Sequence, residues 1–314
     1  MIGLVVRRLV LMVVVLWAVS VLTFAIVNVL PGDVAVAILG ETATPADVAA
    51  MRIRLGLNEP LIPRYFDWIS RVLVGDFGTS LTYGQPVAPV LLARLSNSAI
   101  LAGLALSAVV PLSIGLGVTA AVREKSAVDR LLSGVAVIGY ALPEFVVGLT
   151  FILVFSIYLD LLPGSSLIEP GVNPLARPSA LILPVAVLVM HQLAHLSQIT
   201  RASTIKALTS NYVRTAVLKG LSPRLVVWKH AVPNALPPVV AEIGMNFGYV
   251  LGGLVVVETL FSYSGVGQLM VMSVESRDVP TIEATVLVVA AAYGFGNLLA
   301  DIVALRLNPR LRDS

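Results

Sequence analysis

The chain has 314 residues, of which 57% are hydrophobic and only 12% charged, whereas a soluble domain carries about 25% charged residues. The length suits one bundle of several membrane helices and excludes a bundle plus a large soluble domain. With no cysteine in the sequence, a disulfide framework, thiolate metal ligands and a cysteine nucleophile are all excluded, and the net charge of +3 matters less than where the charge lies.

A bilayer core of about 30 Å needs roughly 20 apolar residues in a helix, and six segments are predicted to qualify, making an all-α integral membrane protein. The first runs from Leu9 to Leu30. Arg7 and Arg8 before it, and Ala35-Val36-Ala37 after it, imitate a signal peptide. The apolar run is longer than the roughly 7–15 residues of a signal h-region, so an uncleaved span is expected. Residues 31–97 follow as an outer loop, making 1–97 one part of the chain and 98–314 a five-helix part. In the loop, Thr44-Pro45-Ala46-Asp47 reads as a capped helix start and Gly56 as its stop. A second loop helix is predicted from Pro63 to Leu73, with Tyr65, Trp68, Ile69, Val72 and Leu73 at helical spacing.

The remaining spans are predicted from about Ser98 to Val122, Leu131 to Leu162, Leu181 to Ile199, Val239 to Val257 and Ala284 to Leu305. Pro143 and Glu144 interrupt the third, because proline removes a backbone donor and bends a helix. Between Gly171 and Ala241 there is no Asp or Glu, but there are Arg177, Arg201, Lys206, Arg214, Lys219, Arg224 and Lys229. Flanking apolar spans argue against a nucleic-acid surface and for a basic loop held in the cytoplasm. That orientation places both termini inside. Glu144, Glu242, Asn246 and Asn297 are the candidates for lining a translocation pathway, since polar groups inside spans are costly and often functional. His191 and His195 stand four residues apart, a spacing that can hold a metal. Without an apparent third ligand, no metal site is expected.

The most specific stretch is Asn211 to Pro238. A short helix should present Val213, Ala216 and Val217 on one face. Gly220 should stop it in a left-handed conformation. Ser222 should cap a new helix with Pro223 at its first position. Pro233, Pro237 and Pro238 should punctuate the return to the membrane. A short rigid element of this kind suits a groove in a partner, and equally an amphipathic connector resting on anionic lipid.

This stretch resembles the EAA motif of binding-protein-dependent ABC importer permeases: E-A-A, three residues, glycine, nine residues, then I-x-L-P. Arg214-Thr215-Ala216 stands in the EAA place, Gly220 is the glycine, and His230-x-Val232-Pro233 closes it. Tyr212 through Ala216, Lys219-Gly220-Leu221, His230-Ala231, Asn234-Ala235-Leu236 and Pro238 are similar to the dipeptide, oligopeptide and nickel permease branch, first-subunit type. So are Leu30-Pro31-Gly32-Asp33, Leu55-Gly56-Leu57, Gly75-Asp76-Phe77-Gly78-x-Ser80, Glu258-x-x-Phe261-x-x-x-Gly265-x-Gly267 and Asn308-Pro309-Arg310-Leu311-Arg312.

The resemblance implies the type I importer permease fold in the cytoplasmic (inner) membrane, forming half of a peptide pathway. Residues 205–233 would hold the coupling helices, with Tyr212, Arg214, Thr215, Ala216, Lys219, Gly220, Leu221, Pro223, His230 and Pro233 toward an ATPase subunit. Implied partners are a second, homologous permease, cytoplasmic ATP-binding subunits and an external substrate-binding protein, with membrane lipid around the bundle. No phosphate loop G-x-x-x-x-G-K-[ST] occurs in the chain. It should therefore have no catalytic residues and no cofactor, ATP and Mg being held by other subunits. The alternatives are a permease for nickel or another small solute, and an ion-coupled secondary transporter.

Overall fold

The computed structural model describes residues 2–29, 36, 43–54, 59–169, 171–245 and 247–307. Apart from an isolated bridge between Thr79 and Pro86, regular structure among them is helical. In chain order the helices are α1 (Ile2–Val29), α2 (Pro45–Arg54), α3 (Leu61–Leu73), α4 (Val87–Val122), α5 (Ala127–Ala141) and α6 (Glu144–Phe151), the last continuing as a π-helical stretch, Ile152–Tyr158. Then come α7 (Pro178–Leu208), α8 (Asn211–Leu218), α9 (Pro223–Leu225) with a second π-helical stretch, Val226–Ala231, α10 (Val232–Met245), α11 (Phe247–Leu260), α12 (Val266–Glu275) and α13 (Val279–Leu307).

Among the described residues, four helices are long and apolar enough to cross a membrane: Val6–Asn28, Val87–Val122, Pro178–Leu208 and Val279–Leu299. The pair Ala127–Ala141 and Glu144–Tyr158 makes a fifth if it is one broken span, bent by 104°. The break has a local cause. A residue before proline is pushed out of the α region, and Leu142 is accordingly extended (φ −84°, ψ 131°) ahead of Pro143. Expected span Val239–Val257 falls across α10 and α11, on either side of Asn246, which lies outside the described residues. The same is true of Leu30–Asp33, Leu55–Leu57 with Gly56, and Asn308–Arg312. Helix α4 starts at Val87 rather than at Ser98, because its first turns are held by contacts made far along the chain.

The chain divides into two units. The first comprises residues 1–5, 99–263 and 295–314. Its core gathers Leu101 and Val109 of α4, Leu183 and Val187 of α7, and Val257 and Phe261 around the end of α11. Helices approach closely where a side chain is missing. A Cβ built on Gly117 of α4 would lie 2.5 Å from Thr200 Cβ and 2.6 Å from the Ser197 carbonyl oxygen of α7. Gly148 of α6 likewise leaves room for Leu260 of α11. At the head of α5, Ser126 accepts from the Asp129 backbone N–H at 3.2 Å while the Asp129 carboxylate accepts from Lys125 N–H at 2.9 Å, a reciprocal cap. The same carboxylate takes both forks of Arg201 on α7, at 2.6 and 2.8 Å.

The second unit comprises residues 6–98 and 264–294. Thr44 caps α2 as the sequence predicts, accepting from the Asp47 N–H at 3.2 Å. Helix α3 lays Tyr65 and Trp68 around Phe24 of α1, with ring centroids 5.5 and 5.6 Å away, and Tyr65 shares a 2.8 Å hydrogen bond with Ser20. Leu73, expected on the same face, is instead exposed, being the last residue of the helix. The early part of α4 is anchored by Arg94 donating to Gln268 at 2.9 Å, Asn97 to the Ser264 carbonyl at 2.8 Å, and the Val266 N–H to Ser98 Oγ at 2.8 Å.

Candidate functional site

The sequence-predicted site residues fall in two groups in the first unit: the α8–α9 corner and the polar side chains about α7. The corner is built by Gly220. Its φ of +76° is a region that L-residues with a Cβ enter poorly. Its N–H donates to Val217 O at 2.9 Å and Leu221 N–H donates to Ala216 O at 3.4 Å. These are the bonds of a Schellman stop, and Leu221 packs back on the small cluster that contains Ala216. Pro223 starts α9 as predicted. Ser222 precedes it in extended conformation, but its hydroxyl makes no capping bond. The site is exposed, where water can serve the free N–H groups.

A small core fixes the corner: Ala207, Val213, Ala216, Val226, Ala231 and Ala235 are buried together. Val217, expected on the buried face, is 56% exposed, since an eight-residue helix touching the core on one narrow side buries only Val213 and Ala216. The prolines do not break the chain as expected. The π-helical stretch runs straight into α10, which holds Pro237 and Pro238 in its interior and Pro233 in its first turn. Inside a continuous helix a proline removes one donor, and the wider i→i+5 turn just before Pro233 changes which carbonyls need donors.

Outward from the corner, Tyr212, Leu218, Leu225 and Trp228 are exposed, interleaved with exposed Arg214, Lys219, Arg224 and Lys229. Thr215 and Pro233 are exposed beside them, and His230 is half-buried. Apolar rings and leucines are thus set among cations on one exposed face.

Of the lining candidates, Glu144 is the first residue of α6, where a carboxylate complements the positive end of the helix dipole. Its oxygens lie 2.6 and 2.7 Å from where a Cβ on Gly253 of α11 would stand. Glu144 also borders a small cavity with Gln192 of α7 and Ala105 of α4. Glu242 of α10 meets His195 of α7 at 2.8 Å. Asn297 on α13 is half-buried. The sequence reading missed Tyr140, whose ring stacks on both His191 and His195 at 5.1 and 5.4 Å. It also missed that Glu242 partners a histidine. The spacing of His191 and His195 was the available signal, and what they turn toward is an aromatic ring and a carboxylate.

Comparison with known proteins places the chain. Residues 113–313 match the family described as "Binding-protein-dependent transport system inner membrane component", and residues 1–116 match its N-terminal counterpart. The chain is 39% identical, over 98% of both sequences, to the "Probable peptide ABC transporter permease protein y4tP" of Sinorhizobium fredii. It is 36% identical, over 99% of both, to the "Glutathione transport system permease protein GsiC" of Escherichia coli. Its fold is like that in a crystal structure of an amino acid ABC transporter with histidines, at a TM-score of 0.50 and 18% identity, covering 71% of this chain and 94% of that one. The chain therefore belongs to the family of binding-protein-dependent transport system inner membrane components.

Proposed function

We propose that this multi-pass protein is the membrane-spanning subunit of an ATP-driven importer for peptides, seated in the cytoplasmic membrane with six spans and both termini inside. The observation that carries the mechanism is the α8–α9 corner: a rigid glycine stop supported by its own small core, presenting leucines and Trp228 among cations. Such a surface fits a groove on a cytoplasmic ATP-binding subunit, and movement of that subunit would be transmitted through the π-helical stretch into α10. ATP and Mg would be bound by the ATP-binding subunits, and this chain would hold no cofactor. A second, similar permease would complete the pathway, and an external substrate-binding protein would deliver solute to it. The peptide class is favoured by the relatives, a probable peptide permease and a glutathione permease.

The test is gentle purification of the tagged chain, identification of co-purifying proteins, and assay of ATP hydrolysis and peptide uptake after reconstitution. An ATPase and a second permease should co-purify, and Gly220→Val should leave ATP hydrolysis running while uptake falls. A chain that purifies alone and carries solute down an ion gradient would replace this reading with a secondary transporter.

A further inference from the structure

The second unit contains a cavity of about 370 Å³ that none of the functions above uses. A ligand site for a small molecule runs to a few hundred Å³ and is defined by a few convergent polar groups. This one is lined from α1, α3 and α13 by Phe24, Trp68, Arg64 and Glu283, and exposed Glu59, Asp67, Arg71 and Asp76 also border it.

Glu283 is the decisive residue. It is 4% exposed, and among the described residues its carboxylate accepts no hydrogen bond. Burying a carboxylate without hydrogen bonds is costly, and this one opens into the cavity rather than into packed protein. The cations whose charge reaches it are Arg64 and Arg71. Arg71, which also borders the cavity, is already taken by Asp67 at 2.6 Å. Arg64 donates one N–H to Asn28 at 2.7 Å and lies 5.9 Å from the centre of the Phe24 ring. A guanidinium has five N–H donors, so most of its hydrogen-bonding capacity remains.

Among the charged groups of the cavity, Glu283 is the buried acceptor and Arg64 a donor beside the aromatic walls, neither saturated by protein among the described residues. From this geometry we infer that the second unit carries a binding site for a small zwitterion with a free ammonium and a free carboxylate, the ammonium taken by Glu283 and the carboxylate by Arg64. The aromatic walls of Phe24 and Trp68 suit the aliphatic part of an amino acid or dipeptide. The inference goes beyond the importer reading and does not depend on it, since the site lies wholly within this chain.

The test uses the full chain in lipid nanodiscs, without ATPase or binding protein, and labelled dialanine as probe. N-acetyl-dialanine, which lacks the ammonium, and dialanine amide, which lacks the carboxylate, serve as competitors. Dialanine should bind saturably, and each capped form should compete roughly tenfold or more less well, as loss of a charge-assisted hydrogen bond implies. Glu283→Gln should lose the discrimination against the acetylated form only, and Arg64→Gln the discrimination against the amide only. Absence of saturable binding overturns the site. So do capped forms that compete as well as dialanine, a result that needs no variant to fold, or variants that keep the full discrimination. None of these results bears on partner co-purification or ATP-driven uptake, which test the importer reading separately.

Discussion

Where α4 meets α7 in the first unit, contact depends on an absent side chain. Gly117 brings the α4 backbone within reach of Thr200 and the Ser197 carbonyl, and dispersion between closely set helices supplies the attraction, as is common in membranes. In the second unit, the turn after α3 is held the opposite way. Asp278, 1% exposed, accepts from Ser80 Oγ, from Leu81 N–H at 3.0 Å and from Thr281 Oγ1 at 2.9 Å. The seam has no polar partner to lose but no room to gain an atom. The clasp leaves three donors stranded if its acceptor goes. The two contacts are therefore sensitive to opposite kinds of substitution, added volume in one and a lost acceptor in the other.

The sharpest way to break the comparison is Gly117→Val. Its Cβ would strike a backbone oxygen, which cannot swing aside, so the cost should fall at the top of the roughly 1–3 kcal/mol typical of overpacking; thermal unfolding in detergent should show collapse of folded yield. Asp278→Ala should come next, at about 2–3 kcal/mol for the stranded donors, with Asp278→Asn intermediate in the same assay. Exchanging the substitutions sharpens the contrast: Gly117→Ser should be as poorly tolerated as a methyl, since the fault is volume.

The two glycine corners give a finer comparison. Gly75 ends α3 as Gly220 ends α8: φ is +87° and +76°, and Gly75 N–H donates to Val72 O and Asp76 N–H to Arg71 O, both at 3.0 Å. At neither position would a Cβ meet another atom within 4 Å, so alanine at either costs only the left-handed strain, about 1–2 kcal/mol. The stability losses should match, while only Gly220→Ala should lower uptake per ATP hydrolysed. Equal effects on coupling would erase the distinction. Smallest in stability is Trp228→Ala. An exposed side chain usually costs less than about 0.5 kcal/mol, yet this variant should lose co-purification of the ATPase.

These corners show what the sequence makes legible. Gly220, followed by Ser222 and Pro223, and Thr44-Pro45-Ala46-Asp47 are local signals whose chemistry acts within a few residues, and the helices end and start there. Pro143 also acts locally and breaks its helix. The start of α4 was not legible, because Arg94, Asn97 and Ser98 look like loop residues until Gln268, Ser264 and Val266 are beside them. The Asp278 clasp and the His195–Glu242 pair were hidden for the same reason: their partners lie 198 and 47 residues away. Proline misled in the other direction at Pro233, Pro237 and Pro238, where a π-helical stretch and the packing of α10 on α7 carry the helix through.

The break at Leu142 and Pro143 also constrains how the protein enters the bilayer during synthesis. Helix α5 has 15 residues, a length of about 22 Å, against about 30 Å of hydrocarbon. Alone it cannot reach from one headgroup layer to the other, and α6 with its π-helical continuation, Glu144–Tyr158, reaches no farther. Neither half is a self-sufficient insertion signal, so the translocation machinery must accept the elbow as a unit, or hold it until α7 emerges and offers Arg201 to Asp129.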